Sequence, residues 1–309
     1  MELSAPATFY VGSLEVVGLS HQGMVREQNE DRWRLPSSED LHLEERGYLF
    51  AVADGMGGYG GGELASSTTL DTLYAQFYGE QAVELPEAIQ AANMAVRRLA
   101  MQADHDARMG TTLVAAWFFG EQLLVAHVGD SRAYIVSHGT IQPITQDHSV
   151  VQEQVRAGLL TPAQAAAQQG KNVITRAIGN QSPVEVDYTP VTGLQAGDTV
   201  MLCSDGLTNF VADHEIAHIT TAYPLAMAAA ALVNLANQRG GSDNITVLIM
   251  RLQQALLDQP QPAETSALAP TLRLRREHPL LWSGLTLLVM LLVAAGTWLV
   301  LKKLGVIVG

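Results

Sequence analysis

Apolar and polar positions follow two different periods between residues 14 and 252, and each period predicts a different kind of element. Short runs rich in Val, Ile, Leu and aromatic residues predict strands. These runs are Leu14–Leu19, Tyr48–Ala53, Thr112–Phe119, Leu123–Val128, Ala133–Ser137, Val184–Tyr188, Thr199–Cys203 and Ile245–Leu252. Helices are predicted for six longer stretches, and in the second of them Ile89, Ala92, Val96 and Leu99 recur at helical spacing. These stretches are Gly62–Phe77, Pro86–Ala103, Val150–Ala157, Pro162–Gln169, Asp213–Thr220 and Pro224–Gln238.

The connections between neighbouring predicted strands are short. Gly120 and Glu121 separate one pair of strands, and His138 and Gly139 separate another from the apolar Ile141. Short gaps of this kind join antiparallel hairpins. Hairpins interrupted by long helices predict an α+β fold in which antiparallel sheets stack and the helices lie outside.

The pattern changes after Leu252. Residues 253–279 carry four prolines among Gln, Ala and Leu, which is typical of a linker. Leu280–Leu301 then runs for 22 residues without a charged side chain, and as a helix it would span roughly 33 Å. We therefore predict a domain at 1–252, a linker at 253–279, a transmembrane helix at 280–301 that contacts membrane lipid, and a short tail at 302–309.

The charge is negative and unevenly distributed. The formal net charge is −13; residues 1–252 hold 13 Lys and Arg against 28 Asp and Glu, whereas residues 253–309 hold 5 against 3. An acidic body argues against nucleic acid as a partner, because phosphate contacts need clustered cations. The amino-terminal residues carry no basic cluster before an apolar core, so no signal peptide is predicted. We expect a single-pass protein of the cytoplasmic membrane with its large domain in the cytoplasm.

The single cysteine, Cys203, lies inside an apolar run. It has no partner for an intramolecular disulfide, and a buried thiol is a poor nucleophile. This position argues against a cysteine-dependent phosphatase.

Five aspartates stand at the ends of apolar runs, each inside a polar or glycine-rich turn. They are Asp31, Asp54, Asp130, Asp205 and Asp243. If the strand ends converge, the like charges resist ionisation together, and divalent cations relieve that repulsion. Ligands that are all oxygen favour Mg²⁺ or Mn²⁺ over zinc.

The motifs around these aspartates occur in the order of a known family. The blocks are Arg26 with Asn29-Glu30-Asp31, Asp54-Gly55-Met56-Gly57-Gly58, Gly110-Thr111-Thr112, Gly129-Asp130-Ser131-Arg132, Asp147-His148-Ser149, Asn172 to Gly179, Ser204-Asp205-Gly206-Leu207 and Asp243-Asn244-Ile245-Thr246. Over residues 14–252 the chain resembles the metal-dependent serine/threonine protein phosphatases of the protein phosphatase 2C type, the PPM family.

The resemblance implies a four-layer αββα sandwich and hydrolysis of phosphoserine and phosphothreonine in proteins by a metal-bound hydroxide. It implies two Mn²⁺ or Mg²⁺ ions and a looser third ion. Asp54 matches the carboxylate that bridges two ions, and the Gly55 carbonyl matches a further ligand. The remaining matches are Asp205 and Asp243 to the first ion, Glu30 and Asp31 to the second, Asp130 to the third, and Arg26 to the phosphate-binding arginine. The partners implied are phosphorylated proteins of a serine/threonine kinase pathway.

The sequence departs from the family in two places. Met56 stands where many eukaryotic relatives have a histidine that can act as general acid. Residues 163–171 match the family's mobile flap but lack its His-Pro step, and His148 is best interpreted as a structural residue of a turn. Three alternatives remain open: a phosphohydrolase of small phosphomonoesters, a pseudophosphatase that binds phosphoproteins, and a membrane-tethered scaffold.

Overall fold

The computed structural model describes residues 6–253 except 59, 103–108, 121, 162–163, 166–167 and 169–172. The predicted transmembrane helix and tail lie outside the described residues, as does the linker apart from Gln253. Most of the predicted helix Pro162–Gln169 and of the flap at 163–171 also lies outside them. Within the described part of the chain, no helix has the length and apolar character needed to cross a membrane.

The strands of the described residues are β1 (Thr8–Val11), β2 (Leu14–His21), β3 (Asp31–Arg34), β4 (Tyr48–Met56), β5 (Gly110–Thr111), β6 (Leu113–Phe119), β7 (Gln122–Val128), β8 (Arg132–Ser137), β9 (Thr140–Pro143), β10 (Asp187–Val191), β11 (Thr199–Cys203) and β12 (Ile245–Leu252). The helices are α1 (Leu43–Arg46), α2 (Gly61–Tyr78), α3 (Leu85–Gln102), α4 (Val150–Arg156), α5 (Asp205–Thr208), α6 (Asp213–Ala222) and α7 (Leu225–Gln238).

The strands form two antiparallel sheets. Sheet A has the order β1-β2-β12-β11-β8-β9, and sheet B has the order β10-β7-β6-β4-β3, with β5 paired to the end of β4. The hairpins β6–β7 and β8–β9 confirm the two short connections predicted from the sequence.

The period of two along the central strands places alternate side chains in different layers. On β4, Phe50 and Val52 pack between the two sheets, whereas Leu49 and Ala51 pack against α2 and α3 on the outer face of sheet B. Along β12, alternate residues likewise face either the other sheet or the helices α6 and α7. The layers are therefore helices, sheet B, sheet A and helices, which confirms the predicted αββα sandwich.

One predicted strand is shifted along the chain. The sequence predicts a strand at Val184–Tyr188, but β10 is Asp187–Val191. Both backbone groups of Val184 bond to the side-chain amide of Gln90 on α3, at 2.8 and 3.1 Å. Because these groups are satisfied by a helix side chain, Val184 joins no strand ladder, although its side chain is buried.

No apolar pattern in the sequence predicts two short elements whose residues are mostly polar. β3 has the sequence Asp-Arg-Trp-Arg and is an edge strand that pairs only with β4. An edge strand needs no alternation of apolar side chains, so no periodic signal was present to predict it. The helix α5 is a single turn directly after β11, where the sequence suggests only a turn.

Candidate active site

Asp31 and Asp54 lie opposite each other on neighbouring strands. They are paired residues in the antiparallel register of β3 and β4, and such pairs place their side chains on the same face of a sheet. Asp31 is almost fully buried. The pairing of β3 with β4 therefore brings two carboxylates that are distant in the chain into one pocket.

Asp205 reaches the same place from sheet A. It begins α5 directly after the buried strand β11. The preceding Ser204 donates its hydroxyl proton to Asp31 Oδ2 at 2.7 Å and accepts the backbone N–H of Thr246 at 3.0 Å. One serine therefore joins the edge of sheet B to the two central strands of sheet A.

Asp243 and Arg26 form the outer rim. Asp243 precedes β12, and its Oδ2 accepts a hydrogen bond from Arg26 at 2.8 Å. The Arg26 side chain is 50% exposed. Its guanidinium therefore lies beside the carboxylates with one face open to the surroundings, a geometry that suits a phosphoryl group.

Asn244 holds this rim together, and the sequence analysis did not single it out. Its Nδ2 donates to the carbonyls of Gln22 and Gln28, at 3.0 and 2.8 Å, and its Oδ1 accepts the N–H of Glu30 at 2.8 Å. The loop that carries Arg26 is thus fixed against the residue that follows Asp243. The signal was available, because Asn244 belongs to the same motif block as Asp243.

The electrostatics show that all five aspartates share one site. The pKa of Asp54 lies well above its ordinary value because burial disfavours its charged form and because the other four carboxylates repel it. Burial and neighbouring carboxylates also raise the pKa values of Asp31, Asp130 and Asp205. The predicted convergence of the strand ends is therefore found in the structure.

The site fits divalent cations bound through oxygen. Among the described residues, one ion pair reaches the five carboxylates, that of Arg26 with Asp243. Asp31 Oδ1 is buried and has no hydrogen-bond partner. A cluster of carboxylates with so little positive charge and an unpaired buried oxygen has the donor set that Mg²⁺ and Mn²⁺ prefer.

Glu30 and Gly55 lie where β4 meets α2. The carboxylate of Glu30 accepts the N–H of Gly62 at 3.2 Å, in the first turn of α2. Gly55 has no room for a side chain, since an added Cβ would lie 2.1 Å from the Gly62 carbonyl oxygen and 2.6 Å from that of Glu30. The close approach explains why a glycine follows Asp54.

Comparison with known proteins agrees with this geometry. The sequence model of the family described as "Protein phosphatase 2C" matches residues 15–245, which is most of the chain. The chain belongs to the protein phosphatase 2C family. The family consists of metal-dependent phosphatases, and membership in it confirms the predicted enzyme class.

The similar proteins are bacterial. The serine/threonine phosphatase stp of Listeria welshimeri is 35% identical over 238 residues, which cover 74% of this chain and 92% of that protein. The crystal structure of the Mycobacterium tuberculosis serine/threonine phosphatase PstP/Ppp has a TM-score of 0.69 at 34% identity, covering 78% of this chain and 99% of that one. A second PstP structure contains two manganese ions; its TM-score is 0.65 at 34% identity, and it covers 77% of this chain and 97% of that one.

Proposed function

We propose that this protein phosphatase 2C family member removes phosphate from phosphoserine and phosphothreonine in proteins and so opposes serine/threonine kinases. The observation that carries the proposal is the convergence of five aspartates beside one half-exposed arginine. A site that combines oxygen ligands for cations with a guanidinium at its opening is suited to phosphate-ester hydrolysis.

We assign the roles by the match of these residues to the protein phosphatase 2C family. Asp54, at the centre of the carboxylates, would bridge two Mn²⁺ or Mg²⁺ ions, with the Gly55 carbonyl beside it. Asp205 and Asp243 would hold one ion, Glu30 and Asp31 the other, and Asp130 a third. When bound, these cations supply the Lewis acidity that makes water a nucleophile near neutral pH.

The chain's own groups bind and orient the phosphate. The hydrogen bond from Arg26 to Asp243 orients the guanidinium, and its remaining N–H groups can donate to the phosphoryl oxygens. Asn244 keeps the Arg26 loop in register with the carboxylates. Cys203 takes no part, because it is buried and burial raises the pKa of its thiol to about 12.

The experiment compares a phosphothreonine peptide with para-nitrophenyl phosphate, each with Mn²⁺ and with a chelator. We expect Mn²⁺-dependent release of phosphate from both. Turnover of the small ester alone would favour a small-molecule phosphohydrolase. Binding of the peptide without turnover would favour a pseudophosphatase, and chelator-resistant turnover would contradict the cation-dependent reaction.

We further propose that residues 280–301 anchor the enzyme in the cytoplasmic membrane with its catalytic domain in the cytoplasm. The uncharged stretch is long enough to span a bilayer. Arg273, Arg275 and Arg276 precede it and two lysines follow, so the count of positive charges favours the preceding side as cytoplasmic. That side also supplies phosphoproteins to the site.

Fractionation tests the anchor. The full-length protein should sediment with membranes and dissolve in detergent, and a variant lacking residues 280–309 should be soluble and active. Full-length protein in the detergent-free supernatant would refute the anchor. If protease added to intact cells digests the domain, the domain faces outward and the proposed orientation is wrong.

A further inference from the structure

His148 lies in the protein interior and contacts the residue before Asp130. Its side chain is fully buried. Its backbone N–H donates to the Gly129 carbonyl at 2.9 Å, and its Nδ1 accepts the Gly129 N–H at 3.1 Å. One residue therefore satisfies both backbone polar groups of Gly129.

His148 also lies where residues 149–174, called the excursion below, leave the sheets and return to them. Its carbonyl accepts the N–H of Thr175 at 2.7 Å. Ser149 and Ile174 form an isolated antiparallel bridge, and the N–H of the next residue, Val150, donates to the Val173 carbonyl at 3.0 Å. The ends of the segment that contains the predicted flap thus meet beside the turn that carries Asp130.

The ring of His148 has a defined tautomer. Since its Nδ1 accepts a backbone N–H, the neutral ring carries its proton on Nε2, which lies 3.2 Å from Asp187 Oδ2 and 3.3 Å from Arg176 Nη1. Arg176 donates to the other carboxylate oxygen of Asp187 at 2.9 Å. Burial and the stacked ring of His127 lower the pKa of His148, which favours the neutral form.

The same atoms could be taken for a metal site. One ligand atom each from His127, His148 and Asp187 lies within 4.8 Å of the others. A metal on Nε2 of His148 would require the proton on Nδ1, where it would face the N–H of Gly129. The guanidinium of Arg176 already balances Asp187. Both facts oppose a cation on His148, so His148 acts as a hydrogen-bonded support. His127 Nδ1, by contrast, is buried without a hydrogen-bond partner.

Gly129 has a backbone conformation that other residues cannot adopt without strain. Its φ is +106°, and an added Cβ would lie 2.6 Å from Thr112 Cγ2. Glycine has the largest backbone freedom, so a turn built on it is held by its hydrogen bonds rather than by its own preference. Asp130 follows directly, and its direction depends on this turn.

We propose that His148 is a positioning residue that holds the Gly129–Asp130 turn in the conformation in which Asp130 binds the third, most weakly held cation. The inference rests on the proposed function, because it uses the assignment of Asp130 to that cation. His148 acts through Gly129 and touches neither substrate nor cation. Through Asp187 and the Ser149–Ile174 bridge, it also ties that cation position to both ends of the excursion.

The test measures Mn²⁺ binding directly, by equilibrium dialysis and electron paramagnetic resonance, without substrate. His148→Phe keeps a flat ring and removes the acceptor for Gly129, whereas His148→Asn keeps an acceptor near Nδ1. The matched control is His127→Phe, which removes the other ring of the stack and its bond to the Gln146 carbonyl, 2.9 Å long, but no bond to Gly129.

We expect the weakest Mn²⁺ to bind about tenfold more weakly in His148→Phe, the scale of one lost buried hydrogen-bond partner. His148→Asn should recover most of that affinity, and His127→Phe should bind like the wild type. Equal binding in His148→Phe and wild type, an equal loss in both Phe variants, or a wild type with only two Mn²⁺ ions would overturn the proposal. So would Zn²⁺ binding that both Phe variants abolish.

A second pair of variants covers the case in which His148→Phe does not fold. Asp187 is 40% exposed, so Asp187→Ala should be tolerated, and it removes the acceptor for Nε2–H. Asp187→Ala should weaken the binding of the same Mn²⁺ by a smaller factor, and Asp187→Asn should restore that binding. Equal Mn²⁺ binding in the two Asp187 variants would count against the proposal. If the wild type fails to hydrolyse phosphopeptides while these differences in Mn²⁺ binding persist, the proposed function fails and the positioning role stands.

Discussion

Two clusters of ionisable side chains lie close together in this domain, and they differ in how far their charges are paired within the protein. Around His148, one carboxylate faces one guanidinium, and each polar atom of the His148 ring has a hydrogen-bond partner. Around Asp54, five carboxylates lie together, and among the described residues only Arg26, at their edge, forms an ion pair with one of them. Both ring nitrogens of His148 are paired within the protein, although His127 Nδ1 beside it is buried without a partner. In the second cluster, most of the carboxylate charge has no cation to pair with in the described part of the chain.

The difference separates a structural polar network from a cation site. Buried charges are stable when they are paired and hydrogen-bonded. Histidines near an aspartate can suggest a metal, but both nitrogens of the His148 ring already have partners within the protein. Burial first, and then mutual repulsion, raise the pKa values of Asp31, Asp54, Asp130 and Asp205, and bound cations would stabilise their charged forms.

The strongest test of the comparison is Asp54→Asn. We expect turnover to fall by about a thousandfold or more, since several kcal/mol of charge stabilisation by the cations is lost. In chelator, the same variant should unfold at a higher temperature than the wild type, because one repelling charge is gone from the cluster. Phosphatase assays and thermal unfolding measure the two effects.

The control is Asp71→Asn, an exposed carboxylate paired with Arg34. It should leave activity and metal-free stability unchanged. Near-normal turnover by Asp54→Asn, or a lower unfolding temperature in chelator, would show that the aspartates are not short of positive charge.

Arg26→Ala tests the arginine that forms an ion pair with the aspartate cluster. We expect a loss in phosphopeptide binding of about 1.5–3 kcal/mol, the range of a hydrogen bond to a charged group, with Mn²⁺ binding retained. Steady-state kinetics with a phosphopeptide measures it.

Arg34→Ala is the matched control, because Arg34 pairs with Asp71 on the surface. It should behave like the wild type. Unchanged KM and kcat in Arg26→Ala would remove Arg26 from the phosphate site.

The smallest effect is expected for Ser204→Ala, which removes a neutral partner of the aspartate cluster. The variant loses the bond to Asp31 Oδ2 and the acceptor for the Thr246 N–H. We expect the free energy of unfolding to fall by about 1–2 kcal/mol, as for other buried hydrogen bonds. Urea unfolding measures it, with Ser67→Ala, an exposed hydroxyl, as the control. No change in Ser204→Ala would mean that this serine does not stabilise the junction of the two sheets.

The sequence by itself determined the layers and the chemistry of the site. The apolar runs that form β4 and β12, the short hairpin connections and the long helices predict stacked antiparallel sheets covered by helices, because such elements are stable only when their apolar faces pack together. The aspartates at the strand ends predict oxygen-bound cations, because the residue types alone decide which ions they suit.

Only the tertiary structure decided which distant groups meet. The strand at Val184–Tyr188 was predicted too early because the side chain of Gln90, distant in sequence, bonds its backbone. The roles of Asn244 and of the tautomer of His148 depend on hydrogen bonds to residues that are far away in the chain. Hydrophobic periodicity reports which face of an element is buried, whereas hydrogen bonds between distant segments are directional and form only once the sheets have packed.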